Sequence, residues 1–542
     1  MSRFKSVAHL GPSGLPGLVV ALVVGSGFVT LTFGLPFVLG VSAFWQTDVD
    51  DVTQYVAGFN HYFAAPWQFP LLAFDSLNYP QGTRATFVDV IPLYALLLKA
   101  LLPASMAPLN PYGAWVALCF ILQPVGAWGI VRELRINSWA LLVGLALVLL
   151  VTPALMARIG HISLMSHWIL LFALALYIRG QRLGALPVGG WTALLLAAFY
   201  INIYLFVMAS GIYLAGALAV GAYRHWRSLA ASVLPFVLLL ASLFVTLLPM
   251  PLAEVTREWG FGYYSMNLLS PLLGGHLLQV QASTAPGQYE GFNYLGLGLL
   301  IAFALALRLC WRDDRAFFSR HWPLTLLMLG YALYSLSNQI YFGSTLVLVL
   351  NYPEVLGGLT AQFRASGRFF WSVGYCVAIF SLLVLYRRLG RVAFAALVAI
   401  LVGLQLADLK PRYKLLKEGI AREVPRQMDY QAWDRALGAN IRNLYFYPKF
   451  KCGQHPPHDS LLPVMRYAGE RQLNLNTGYI SRYTPRCDDI AEEISGSALE
   501  ASGYIFVRKE FESMAQVEAL LSGDAPLQCS EVDFAFVCSK AD

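Results

Sequence analysis

Apolar residues run in long blocks over the first three quarters of the chain and break into short alternating segments over the last quarter. Blocks long enough to cross a bilayer fall near 16–44, 112–131, 138–156, 163–179, 190–205, 206–222, 229–250, 292–309, 321–337, 368–386 and 392–408. A shorter block, 88–104, carries Pro92 and Lys99. Arginines cluster between alternate blocks, at Arg132/Arg135, Arg179/Arg182, Arg224/Arg227, Arg308/Arg312/Arg315 and Arg387/Arg388/Arg391. Basic residues are retained on the cytoplasmic side of membrane helices, so these clusters mark inner turns. The eleven long blocks alternate correctly against all five clusters and put the C-terminal segment outside. The short block breaks that parity if it crosses fully, so by charge it is expected to be re-entrant or half-spanning. The expected fold is a polytopic α-helical membrane protein of roughly 11–13 transmembrane helices. The first block follows Arg3 and Lys5 and is too long for the core of a cleaved signal. It reads as a signal anchor with its N-terminus inside.

Past residue 409 the pattern becomes α/β. RNLYFYP (442–448), SGYIFVRK (502–509) and DFAFVCS (533–539) alternate as strands, and 426–438 and 510–522 read as helices. Composition shifts at the same point. The chain is 57% hydrophobic and 13% charged, against about a quarter charged in a soluble globule, yet 17 of its 38 Lys/Arg and 18 of its 31 Asp/Glu lie from Lys410 onwards. The expected division is a transmembrane domain over 1–408, with a first external loop at 45–88, and a soluble extracytoplasmic domain over 409–542. The net charge of +7 belongs to the membrane part and implies no nucleic-acid partner. Cys452, Cys487, Cys529 and Cys538 all fall in the soluble segment, which suits two disulfides in an oxidising compartment. The Cys529/Cys538 spacing suits a hairpin staple. Four free thiols in a cytosolic domain is the alternative, and zinc is disfavoured because no CxxC pair is present.

Three external segments are long: 45–88, 251–291 and 338–367. Loops of that length carry function or helices of their own. The first opens with QTDVDDVTQY, directly after a span. Asp48, Asp50 and Asp51 there read either as a general base or cation-holding acidic pair, or as the N-cap of a helix starting near Val52. Asp89, in ATFVDVIPLY, is a carboxylate between apolar neighbours, so it is a candidate for a shifted pKa or a cap before Pro92. Arg158, His161 and His167 occur in ARIGHISLMSHW at an external junction, where the topology rule does not favour arginine. They suit phosphate binding or interfacial hydrogen bonding. Arg364 and Arg368 flank Ser366-Gly367 and form an anion clamp or snorkel to lipid headgroups. GYYSMNLLSPL (262–272) and GQYEGFNYLG (287–296) supply Tyr263, Tyr264, Asn267, Tyr289, Glu290 and Asn293, which suit sugar recognition or a membrane-interface belt. P-loop, GxGxxG, HExxH and GxSxG motifs are missing from the sequence.

Taken together, DVTQYVAGFNHYFAAPWQFPL (51–71), FVDVIPLYALLLK (87–99), RIGHISLMSHW (158–168), GQYEGFNYLGLG (287–298) and RASGRFFW (364–371) resemble the GT-C superfamily of membrane glycosyltransferases. The match is closest to a poorly characterised bacterial GT-C-like family. NLNTGYISRYTP (474–485) looks like segments in other GT-C tails. The resemblance implies transfer of a sugar from a polyprenyl-phosphate donor to a glycan or lipid acceptor outside the cytoplasm, with inversion. It implies a bacterial inner membrane location and a C-terminal domain in the periplasm. The family's loop acid falls on Asp51 or Asp50. Arg158, His161, Arg364 and Arg368 are then expected at the donor phosphate, and Asp89, His167 and the Tyr/Asn/Glu residues above at the substrate. No cofactor is required, and a divalent cation is compatible. A transporter of lipid-linked glycan and a non-catalytic assembly protein on the same fold are the competing functions.

Overall fold

The computed structural model describes residues 11–250, 258–454, 458–481, 483–521 and 527–540. Arg3 and Lys5 before the first block, 251–257 of the second long segment and residue 522 of the last expected helix lie outside them. Among the described residues, seven helices are long and apolar enough to cross a membrane: Leu15–Thr32, Tyr112–Glu133, Trp139–Met156, Ile162–Leu183, Trp226–Thr246, Ser366–Arg388 and Arg391–Ala421. Four other expected spans form helices of 14 to 17 residues: Val188–Ile201, Ile203–Ala219, Leu297–Asp313 and Trp322–Ser335. The first two are separate because Asn202 leaves helical geometry and its side chain caps Tyr204 N.

In chain order we label the helices that matter below as α1 (Leu15–Thr32), α2 (Asp51–Ala64), α3 (Pro92–Leu101), α4 (Tyr112–Glu133), α5 (Trp168–Leu183), α6 (Ile203–Ala219), α7 (Trp226–Thr246), α8 (Trp322–Ser335), α9 (Phe370–Arg388) and α10 (Arg391–Ala421). α1 turns its small residues Gly17, Ala21 and Gly25 inward and packs along α4, the arrangement expected where lipid supplies no hydrophobic drive. α7 leaves Leu229, Val233, Leu240 and Phe244 exposed, an apolar face that suits lipid. The short block becomes α3, ten residues and about 15 Å long, half the hydrocarbon thickness. Its buried Lys99 donates to the carbonyls of Tyr62 and Ala65 and so closes the C-terminal end of α2.

Two small hairpins interrupt the helices: β1 (Ala73–Phe74) with β2 (Thr83–Arg84), and β3 (Gln339–Phe342) with β4 (Thr345–Val349). The C-terminal segment holds β5 (Asn443–Tyr447), β6 (Asn474–Leu475), β7 (Ser502–Val507), β8 (Leu527–Val532) and β9 (Ala535–Lys540). They form one sheet in the order β6-β5-β7-β9-β8, with β6, β5 and β7 parallel and β9 antiparallel to both β7 and β8. The three expected strands are β5, β7 and β9. The half-polar edge strand β8 (LQCSEV) and helix α11 (His458–Arg471), which contains Pro463, carried no clear period in the sequence. Disulfides join Cys452 to Cys487 and Cys529 to Cys538, the latter pairing β8 with β9.

The C-terminal segment is clasped onto the first loop. α11 lies across α2, and the Met465 carbonyl meets His61 Nε2 at 3.1 Å. Buried Arg466 donates to the carbonyls of Trp45 and Thr47 and pairs with Glu470. Asp48 is fully buried and accepts N–H bonds from Gln427 and Met428, so it serves as this clasp and not as an open acid. Burial pushes its carboxyl pKa up, against those bonds and the charge of Arg466.

Candidate functional site

The site begins at the N-terminus of α2. Asp50 stands at the N-cap in extended backbone but its side chain makes no capping bond, and Asp51 opens the first turn. The Asp51 side chain is 52% exposed, and its Oδ2 lies 2.9 Å from His161 Nδ1. The other ring nitrogen of His161 lies 3.3 Å from Glu290 Oε1. Glu290 is buried, and its Oε2 accepts from Arg158 Nη1 at 2.6 Å and from Arg368 Nη2 at 3.0 Å. A single ionic chain therefore runs from the exposed Asp51 to the buried Arg158–Glu290–Arg368 cluster.

Each link has a local cause. Tyr55, one turn along α2 from Asp51, places its hydroxyl 2.9 Å from Ser163 Oγ, and Asn202 donates to the same oxygen. These bonds hold the turn that carries His161 against α2. Arg158 also donates to the Tyr289 carbonyl, which ties the turn to the loop of Glu290. Arg368 lies over the ring of Tyr204, 4.7 Å from its centroid, and Tyr204 accepts the N–H of Ala365. Gln54, Tyr55, Ser163, Asn202 and Tyr204 were not singled out in the sequence. Gln54 and Tyr55 had a signal, being three and four residues beyond Asp51 on one helical face.

The charge states follow from these contacts. Burial disfavours the His161 imidazolium, but its bonds to Asp51 and Glu290 outweigh that and raise the pKa to about 9. Burial likewise disfavours the Glu290 carboxylate, but Arg368, His161 and Arg158 together hold its pKa well below the usual range. Three cationic groups, Arg158, Arg368 and protonated His161, thus face the carboxyl groups of Glu290, Asp51 and Asp89. Asp89 lies in the left-handed region at φ 55° and accepts from Gln54 Nε2 at 3.0 Å. Its surface reaches solvent, yet it sits deep in the cleft beside Asp51. Desolvation, then the Asp51 charge, raises its pKa to about 6, against His161 and Arg368.

The remaining expected residues are placed differently. Arg364 does not join Arg368: it donates to the Trp259 carbonyl at 2.9 Å and faces Glu258 at 3.7 Å, so the expected clamp is divided between two partners. His167 is enclosed where α5 meets α9, its ring 4.2 Å from that of Trp371 and 2.7 Å from the Tyr375 hydroxyl, so packing keeps it from a soluble ligand. Asn267 spends its amide on Gln288 and Gly343, and Asn293 on Gly291 and Gly367, so both tie loops together. Tyr263, Tyr264 and Tyr289 form a ring cluster, with Tyr289 63% exposed. Among the described residues no group of three or more His, Cys, Asp or Glu is placed to hold a metal.

An open apolar groove of about 490 Å³ lies between α6 and α8, lined by Val207, Leu214, Trp322, Leu326, Tyr331 and Phe369. Phe369 directly follows Arg368, so the groove ends beside the ionic chain. Its wall is mostly apolar, and none of its lining residues is charged.

No curated protein matches the chain. Among solved structures it is similar to an Archaeoglobus fulgidus oligosaccharyltransferase tethered with an acceptor peptide, at 12% identity and a TM-score of 0.38. That likeness covers 86% of this chain and 64% of the archaeal one. Two family models match, a domain of unknown function (DUF6311) over residues 22–410 and the DUF6311 C-terminal domain over residues 432–540. The chain belongs to the DUF6311 family.

Proposed function

We propose that this protein is a membrane glycosyltransferase that moves a sugar from a polyprenyl-phosphate donor to a glycan or lipid acceptor, with inversion at the anomeric carbon. The observation that carries this reading is the exposed Asp51 carboxylate, bonded to His161 and through it to Glu290, Arg158 and Arg368. It is supported by the groove that ends at Phe369, whose apolar wall suits an isoprenoid chain.

In this reading Asp51 accepts the proton of an acceptor hydroxyl as its oxygen attacks the anomeric carbon. The bond from that carbon to the phosphate oxygen breaks, and its electron pair stays on the lipid phosphate. Arg368 and His161 offset the charge that develops there, while Arg158 and Glu290 hold Arg368 in place. His161 also keeps Asp51 oriented. Asp50, the adjacent residue, has no side-chain partner among the described residues and is not the base. No metal is needed for a monophosphate leaving group met by a guanidinium and an imidazolium. A divalent cation, if one takes part, would meet Asp51 and Asp89. We assign the chain to the bacterial inner membrane, with residues 409–542 and their two disulfides in the periplasm.

The test is radiolabelled sugar transfer in nanodiscs from a panel of polyprenyl-phosphate sugars. Asp51→Asn is expected to lower transfer by about 10²–10⁴, the usual worth of a general base, and Asp50→Asn to retain it. Full transfer by Asp51→Asn would sink the assignment. Function retained by both variants in a deletion strain, with no transfer from any donor, would favour a transport or assembly role.

A further inference from the structure

The ring cluster beside Glu290 opens toward the C-terminal segment. Trp259 is 65% exposed, and its ring centroid lies 5.4 Å from that of Tyr263 and 5.7 Å from that of Tyr264. Tyr264 lies 6.3 Å from Tyr289, which directly precedes Glu290 of the ionic chain. The arrangement is built into the backbone. Gly287 has φ 83°, and a Cβ there would fall 2.2 Å from the Tyr263 ring, so only glycine lets that ring close on the loop. Arg364 lies over Tyr264, 5.6 Å from its centroid, and binds the Trp259 carbonyl.

The C-terminal segment meets this cluster. Lys451 Nζ lies 3.6 Å from Glu258 Oε1, and Glu258 also faces Arg364. The loop after β6 is pinned to the first external loop: Ser481 N donates to the Phe87 carbonyl at 2.8 Å, two residues before Asp89. That loop carries Tyr479, whose ring lies 4.6 Å from that of Phe450, tilted by 40°. Burial and then the charges of Asp89 and Asp51 push the Tyr479 phenol up to about 12, with Arg364 opposing and Glu258 adding to them. Tyr479 is thus within electrostatic reach of the candidate base and of the charged rim of the ring cluster.

We propose that this cleft is the acceptor subsite: a pyranose ring of a glycan chain stacks on Trp259 and Tyr289, and Tyr479 of the C-terminal domain reads its hydroxyls. This rests on the glycosyl-transfer reading for the word acceptor, though not for the binding itself. Exposed indole and phenol faces match the C–H face of a sugar ring. Arg364, Glu258 and Lys451 at the rim supply donors and acceptors for its hydroxyls. A belt facing lipid would not be bordered by an ion pair to a charged, disulfide-bonded domain, such as that of Glu258 with Lys451.

The full-length protein in nanodiscs is mixed with glycan released from the membranes of its source cells, and binding is read by saturation-transfer NMR. The variants are Trp259→Ala, Tyr289→Ala and Tyr479→Phe, each also in an Asp51→Asn background. Binding by wild type and by Asp51→Asn, weakened about tenfold or more by Trp259→Ala and by Tyr289→Ala, is the expected result. Tyr479→Phe is expected to weaken it less and to raise the acceptor KM with kcat kept. No binding by the wild type, or binding unchanged in both ring variants, overturns the subsite, even where Asp51→Asn abolishes transfer and so keeps the catalytic reading. Quenching of Trp259 by brominated lipid, with no response to glycan, overturns it in favour of a membrane contact. Glycan binding lost in Trp259→Ala, with no transfer from any donor, keeps the subsite and removes the transferase.

Discussion

Gly291 and Gly367 lie back to back: a Cβ on Gly367 would fall 2.4 Å from the Cα of Gly291. Each is the neighbour in sequence of a charged residue, Glu290 in one case and Arg368 in the other. The close approach of the two turns is what brings that carboxylate and guanidinium to 3.0 Å. Gly367→Ala must therefore push the turns apart. The expected result is a loss of about 1–3 kcal/mol in stability, as for other overpacked sites, together with a marked loss of transfer. Thermal unfolding and transfer assays on the purified variant check it, and wild-type values in both would refute the packing argument.

His161 carries a pH signature. Its pKa is raised from 6.5 to about 9 in the folded state. The stabilisation from its two carboxylate partners is thus fully present below pH 6.5 and is lost as pH rises through about 9. Wild type should melt at progressively lower temperature between pH 8 and 10, while His161→Gln starts lower and changes little over that interval. Parallel slopes for the two proteins would show that His161 is not the titrating group.

Asp89 acts at the other end of the scale. Its folded pKa of about 6 leaves it ionised at neutral pH and protonated below. If its charge helps hold substrate, transfer should fall as pH drops through about 6. Asp89→Asn, fixed in the neutral form, should show lower transfer with that acid limb gone. An unchanged limb in the variant would assign it to another group.

Arg466 tests the clasp between the C-terminal domain and the loop before Asp51. Removing it strands the buried carbonyl of Trp45, leaves that of Thr47 with the Thr53 hydroxyl alone, and takes from Glu470 its arginine. Arg466→Ala should cost about 3 kcal/mol and lower transfer by shifting Asp51. Differential scanning fluorimetry beside the transfer assay decides it, and a change below about 0.5 kcal/mol would mean that the clasp is dispensable.

Hydropathy and period are local properties of consecutive residues, so the apolar helices, the strands β5, β7 and β9 and the short α3 were legible in the sequence, whereas α10 continues as one helix to Ala421, through the composition shift near residue 409. The sequence also brought Asp51, Asp89, Arg158, His161, Glu290 and Arg368 into view, since charges next to apolar blocks stand out in one dimension. Their partners were decided only in three dimensions. Glu290 looked like a sugar ligand because its two arginines lie 132 and 78 residues away. Arg364 and Arg368 looked like one clamp because they are neighbours, yet they bond to different loops. His167, Asn267 and Asn293 looked available because burial is invisible from sequence, and folding closes each against a segment distant in the chain. Ser481 reaches the Phe87 carbonyl, two residues before Asp89, only because the C-terminal segment folds back onto the first loop. Ionic and hydrogen-bond pairing depends on distance in space, which a single sequence without tertiary packing does not contain.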